Sequence, residues 1–368
     1  MSEVKKLKLN ISWKDYTSYI GLIILVILSC ILSDNFLTTV NIVNIFKQVV
    51  VASSLAMGMT YVILLGGIDI SVGSVIALFG TMTAFLLQDM GWIPAVLICL
   101  AAGVVMGGFH GIMVAHFGVA PFIVTLAGQT AYKGLALLLT NAAAVKIDDP
   151  TFLAIGADNI PVTGTIAIFV AAILWNLYSA LIRKKRRGLK EIGYCVFTSL
   201  VLAAAGLLFC QYGGLPICVL IVVILYLILS TLLNDTVCGA ELYAIGGNIF
   251  AAKMAGVKTK KRTITAYVIC SFCAAVGAIL TASRLGSGAP QSGTLGEMDA
   301  IAAVVVGGTS MTGGVGKIRG TIVGVFLIGV LNNMFSLLGV SAYMQQIFKG
   351  VIILAAVLLD IQLNKESK

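Results

Sequence analysis

The chain has 368 residues, of which 59% are hydrophobic and 11% charged, against about 25% charged in a soluble domain. That balance excludes a soluble enzyme, a nucleic-acid binder and a disordered chain, and the net charge of +9 has to be read by position. A spanning helix takes about 20 apolar residues, so about a dozen spans fit and a separate catalytic domain does not.

Residues 1–17, with Lys5, Lys6, Lys8 and Lys14, form a cytoplasmic segment ahead of a first apolar run at 18–33. Lacking a small-residue cleavage site, that run reads as a retained span rather than a removed signal peptide. Further apolar segments follow at 42–65, 68–88, 93–115, 119–140, 162–182, 194–210, 215–233, 263–283, 299–311, 318–338 and 344–361. The segment 299–311 is too short to cross as an ordinary helix. Runs of this length predict an all-α polytopic membrane protein and exclude a β-barrel, whose strands need only about ten alternating residues.

An even number of crossings puts both termini on one side. With that side cytoplasmic, the inner segments carry Arg183, Lys184, Lys185, Arg186, Arg187, Lys190, Lys253, Lys258, Lys260, Lys261, Arg262, Lys317, Arg319, Lys365 and Lys368 besides the N-terminal lysines. This is what the positive-inside rule requires. The predicted outer loops carry Asp34, Asp89, Asp148, Asp149, Asp158 and Glu297 instead. The run Arg183–Arg187 reads as a topology anchor, with an anionic-lipid site as its alternative. Of the eight cysteines, Cys270 and Cys273 form a C-x-x-C; with no second pair and no nearby His it reads as helix packing, not metal or redox chemistry.

Three places break the apolar pattern. In Gly66-Gly67-Ile68-Asp69-Ile70-Ser71, an acid sits inside an otherwise unbroken apolar stretch. Asp69 either caps a helix starting near Ile70 or lines a cavity, and the two roles are compatible. The block Gly307-Gly308-Thr309 to Gly316-Lys317 looks like a phosphate loop but is not one: Ile318 follows the lysine, and Met311 stands where the first glycine of a Walker motif belongs. It reads as a broken helix or re-entrant element, tolerated only where buried or facing a cavity. The third place is the polar loop 234–262, in which Asn248 is a candidate N-cap and Gly256 a candidate stop for a two-turn helix. A helix that short gains little stability by itself and is expected to dock on something else.

The segments GMTYVILLGGIDISVGS, ELYAIGGNIFAAKMAGV and EMDAIAAVVVGGTSMTGGVGKIRGT, with the tail LNNMFSLLGVSAYMQQIFKGVIILAAVLLD, resemble the permease subunits of monosaccharide ABC importers of the ribose, xylose and galactoside type. The resemblance implies about ten core membrane helices, with broken or re-entrant segments. The pair 162–182 and 194–210 is then an inserted hairpin of the xylose-type kind. It divides the chain into a first bundle half at 18–161, the hairpin with its basic loop at 162–214, a second half at 215–361 that includes the coupling loop 234–262, and a cytoplasmic tail at 362–368. It also implies a multi-pass protein of the bacterial plasma membrane that pairs with a second permease copy, an ABC ATPase and an extracytoplasmic sugar-binding protein. ATP and Mg would sit on the partner ATPase, and none would be bound by this chain. The coupling helix would comprise Asn248, Phe250, Ala251, Ala252, Lys253, Ala255 and Gly256, although the family often carries Glu where this chain has Phe250.

Gly66, Gly67, Asp69, Ser71, Gly307, Gly308, Thr309, Asn332 and Asn333 are candidate pathway residues. The asparagines, with Asn41 and Asn44, either hydrogen-bond a passing solute or join helices to one another. The rival reading is an ion-coupled secondary transporter, which would place several Asp, Glu or His residues within its spans. Here Asp69 is the main interior acid, and His110 and His116 read as interfacial. An intramembrane enzyme would need a convergent nucleophile or metal set, and no catalytic or metal-ligating constellation is evident. Related importers carry nucleosides or a furanosyl signal molecule, which leaves an ABC permease for such a solute as a further alternative.

Overall fold

The computed structural model describes residues 17–187, 189–341, 343–352 and 354. The side chains of 181–192 and 194, the segment 1–16 and the tail 362–368 lie outside the described residues. Long apolar helices follow one another as α1 (Thr17–Leu32), α2 (Thr39–Leu64), α3 (Val72–Asp89), α4 (Trp92–Ala115) and α5 (Pro121–Thr140). The chain continues through α6 (Pro150–Ala157), α7 (Val162–Arg187), α8 (Leu189–Tyr212), α9 (Ile217–Asn234), α10 (Val237–Gly247) and α11 (Ile249–Met254). It closes with α12 (Thr259–Leu285), α13 (Gly296–Val306) and α14 (Ile318–Leu337), and is helical again over 343–352. Among the described residues nine helices are long and apolar enough to cross a membrane, and the protein is an all-α polytopic membrane protein.

α12 is the axis of the bundle, enclosed by α2, α3 and α4. Its small residues Ala274, Ala275 and Ala278 are fully buried, and Cys270 and Cys273 are free thiols pressed against Gly58 of α2. Small side chains let membrane helices approach closely, which replaces the hydrophobic drive that lipid removes. Polar ties supplement this packing: Ser54 Oγ donates to the Cys273 carbonyl at 2.6 Å, and the Thr60 and Thr321 hydroxyls share a bond of 2.8 Å between α2 and α14. The outward faces of α4, α5, α7 and α8 carry exposed Leu, Ile, Val and Phe, as helices bordering lipid should.

α13 and α14 form a hairpin whose backbones nearly touch. A Cβ at Gly324 would stand 2.0 Å from the Ala303 carbonyl, and one at Gly320 would stand 2.1 Å from that of Gly307. The half-length α13 is thus held beside α14 and does not cross alone, in line with the short segment 299–311.

Two ends can be told apart. At one, β1 (Val145–Lys146) pairs antiparallel with β4 (Ser287–Gly288), and β2 (Asn159–Ile160) with β3 (Leu215–Pro216). α6 lies there too, capped by Asp149, whose Oδ1 accepts from Thr151 N at 2.8 Å and Phe152 N at 3.1 Å. The Thr151 hydroxyl and these amides hold the Asp149 carboxyl below its usual value. At the other end, α10 and α11 occupy what the sequence suggested was largely loop.

Four expectations need correction. The basic connection is shorter than 183–193, because α7 runs through Arg187 and α8 resumes at Leu189. The loop 234–262 holds two helices, and α12 starts at Thr259 rather than 263. Glu297 is not in an exposed loop: it is 6% exposed in the first turn of α13. His110 is not interfacial but fully buried, whereas His116 is exposed at the end of α4.

Candidate functional site

The two glycine-bearing breaks meet at the end of the bundle that carries α10. Gly66 leaves α2 in the left-handed region (φ +76°) and faces the Thr312 carbonyl, while Gly314 N donates to the Leu64 carbonyl at 2.9 Å. α10 closes over this contact. A Cβ on Gly246 would stand 1.8 Å from the Leu64 carbonyl and 2.4 Å from Gly314 N, so a side chain there cannot be accommodated without moving backbone. Tyr243 of α10 donates its hydroxyl to the Gly316 carbonyl at 2.7 Å, and burial raises its phenol above the usual value, keeping it a donor. An ion pair between Arg262 and Glu241 ties α10 to the start of α12. One rigid junction therefore joins α2, the 307–317 turn, α10 and α12.

α11 projects from that junction. Asn248 caps it, its Oδ1 accepting from Phe250 N and Ala251 N at 3.0 Å each, and Gly256 ends it with φ +83°. The cap residue has extended backbone and a short polar side chain, the combination that satisfies the free N–H groups of a helix start. Phe250 is 76% exposed and Met254 90% exposed, and Ala251, Lys253, Ala255 and Gly256 are exposed as well. Ala252 alone of the seven faces inward, at 3% exposure, and is removed from any outward contact surface. The outward face thus carries two large apolar tips, Phe250 and Met254, beside the exposed small residues Ala251, Ala255 and Gly256. Between α9, α10 and the start of α14, a cavity of about 1040 Å³ is lined by Ser230, Thr231, Asn234, Tyr243, Lys317 and Arg319 among others.

Asp69 and Ser71 lie just inside the junction. The helix begins at Val72, with Ser71 in the cap position making no side-chain cap bond. Asp69 Oδ1 instead accepts from Ser71 N at 2.9 Å and Ser71 Oγ at 2.6 Å, so it closes the turn ahead of α3 rather than capping it. Its Oδ2 points at His110 Nδ1, 3.7 Å away, and both residues are wholly buried. His110 Nε2 shares a bond of 2.8 Å with the Tyr132 hydroxyl of α5. A polar chain Ser71–Asp69–His110–Tyr132 thus crosses from the α2–α3 turn through α4 to α5. The sequence concealed it because His110 stands only five residues before the end of α4 at Ala115.

The remaining candidates lie elsewhere. Thr309 is buried against Gly316, its hydroxyl enclosed without a partner, while Gly308 is exposed at φ +89°. Asn333 and Asn41 exchange two amide bonds, at 2.8 and 3.0 Å, and Asn41 Nδ2 also donates to the Phe36 carbonyl at 2.9 Å. Their amides are consumed in joining α14 to α2. Asn332 is half-buried with its Oδ1 enclosed and unpartnered, and Asn44 is exposed. The nine pathway candidates therefore fall in three places, not along one surface.

The family model described as "Branched-chain amino acid transport system / permease component" matches residues 41–357. The chain is 34% identical over 343 residues to the xylose transport system permease protein XylH of Escherichia coli (strain K12), covering 90% of this chain and 87% of that protein. It is 37% identical over 344 residues to the ribose import permease protein RbsC of Bacillus subtilis (strain 168), covering 93% and 91%. A xylose permease protein of Haemophilus influenzae is 34% identical over 380 residues, covering 98% of this chain and 99% of its own. No solved structure matches.

Proposed function

Because the chain belongs to this family of transport-system permease components, we propose that it is the membrane-spanning subunit of an ATP-driven, binding-protein-dependent importer of a monosaccharide. It is a transport subunit and not an enzyme. The ATP and Mg reside on a partner ATPase, and an extracytoplasmic binding protein delivers the solute. A pentose is the first solute to try, since the relatives are named for xylose and ribose.

The observation that carries the reading is α11. A six-residue helix with Phe250 and Met254 almost fully in the open gains nothing from standing alone, yet Asn248 caps it and a glycine-packed junction braces it. Such a helix is supported from within and unsatisfied outward, which suits insertion into the cleft of an ATPase. The junction behind it passes movement of α11 to α2, α10, α12 and the 307–317 turn together. Two copies of the chain, or this chain and a similar one, would each present one α11. The α11 side is then the cytoplasmic one.

The test is reconstitution of the chain with its ATPase in vesicles, with the binding protein on the opposite side. Uptake of radiolabelled D-xylose or D-ribose should require ATP and persist when ion gradients are collapsed. Uptake that survives removal of the ATPase but stops with the gradient would overturn the reading.

A further inference from the structure

We propose that a cleft between α3, α5 and the 291–297 segment is a contact site for a neutral, polyhydroxylated solute, formed by Glu297, Gln129 and Lys133. The assignment rests on the importer reading above and uses none of the residues placed at the junction. The cleft encloses about 530 Å³, within the ~300–1,000 Å³ typical of small-molecule sites.

Glu297 is 6% exposed and its Oε1 accepts from Gln129 Nε2 at 3.2 Å. A Cβ on Gly73 would stand 2.1 Å from Glu297 Oε2, so the carboxylate owes its position to a missing side chain on α3. Lys133 lies one helical turn beyond Gln129 on α5 and donates from Nζ to the Pro290 carbonyl at 2.6 Å and to Gln291 Oε1 at 3.2 Å. An ammonium has three N–H donors, so one remains for a ligand, and the Glu297 carboxylate retains acceptor capacity beyond its bond to Gln129.

Carboxylate, amide and ammonium on one cleft are costly among membrane helices and mark a place where something polar is met. The acid and the base cancel, which disfavours an ion and suits an uncharged ligand. A sugar's hydroxyls both donate and accept, matching an acceptor, a mixed group and a donor, while Leu137 and Leu295 offer apolar wall to its C–H face. Three polar partners without full enclosure hold a solute weakly enough to release it, as a passage requires.

The experiment uses the assembled complex in vesicles, with the part-exposed native cysteines Cys30, Cys210 and Cys238 replaced by alanine. Thr130→Cys places a thiol on the exposed rim of the cleft. A small charged thiol reagent should label it, and D-xylose or D-ribose should slow the labelling, with protection lost when Glu297→Gln is added. Glu297→Gln and Gln129→Leu should each cut uptake per assembled complex by about tenfold or more, the worth of one charge-assisted hydrogen bond. They should also change the ratio of xylose to ribose uptake, which a merely structural role would leave alone. Labelling indifferent to both sugars, or uptake per complex within about twofold of the parent with an unchanged ratio, would overturn the assignment while leaving the importer reading intact. A parent complex that imports neither sugar overturns both.

Discussion

Asp69 spends its two carboxylate oxygens differently, and that division decides what its substitutions should do. Oδ1 closes the Ser71 turn, a task any side-chain carbonyl performs, whereas Oδ2 only approaches His110 at 3.7 Å. Asp69→Asn keeps the turn acceptor and puts an amide toward the imidazole, so it should retain yield and uptake near the parent level. Asp69→Leu strands the Ser71 N–H and the Ser71 hydroxyl in a dry interior, at about 1–3 kcal/mol for each buried group left unpaired. Its purified yield and melting temperature should fall together. Thermal unfolding in detergent and uptake in vesicles check both. An Asn variant that folds normally but carries nothing would show that the charge itself takes part in transport. The sequence exposed Asp69 as an anomaly because one acid inside an apolar run is conspicuous. Its partner was hidden, since a histidine near a helix end looks the same whether it meets water or turns inward.

At the scale of elements, the long helices were legible because twenty apolar residues leave few alternatives. The two-residue strands were not, since two residues carry no period. α10 was missed for a related reason: Val237–Gly247 is short, with three glycines and no apolar stripe, and it is ordered by packing against Leu64 and Gly314 rather than by propensity. α11 was found through its cap and its stop, but which face it presents could not be read from six residues. The structure changes the mutations worth making. Phe250→Asp and Met254→Asp place charge on the outward tips and should abolish co-purification of the ATPase at normal permease yield. Ala252→Asp forces a carboxylate into the contact with the bundle and should lower the yield itself. If both outward variants still capture the ATPase, α11 is not the docking element. The glycine junction would then serve the fold alone.

For the whole molecule, the distribution of basic residues acquires a sharper form once the structure is in view. The α10–α11 end gathers Lys253, Lys258, Lys260, Lys261, Arg262, Lys317 and Arg319. Lys47, Lys133, Lys146, Arg284 and Lys349 are each engaged within the chain: Lys47 with Tyr212, Lys133 with Pro290, Lys146 with Asp148, Arg284 with the Lys47 carbonyl, and Lys349 with Asp299. Arg262 is paired as well, with Glu241, so the bias rests on number: the seven basic residues gathered at the α11 end supply the asymmetry that retains a segment in the cytoplasm. The prediction is a sidedness. With Cys30, Cys210 and Cys238 replaced, a cysteine at Lys253 should react with a membrane-impermeant reagent only in inside-out vesicles. One at Ala143, exposed beside β1, should react only in right-side-out vesicles. Reaction of both from one face would break the count of crossings. A clean reversal would do more, because it would set α11 outside, where no ATP is available, and leave its exposed Phe250 and Met254 without an ATPase to meet.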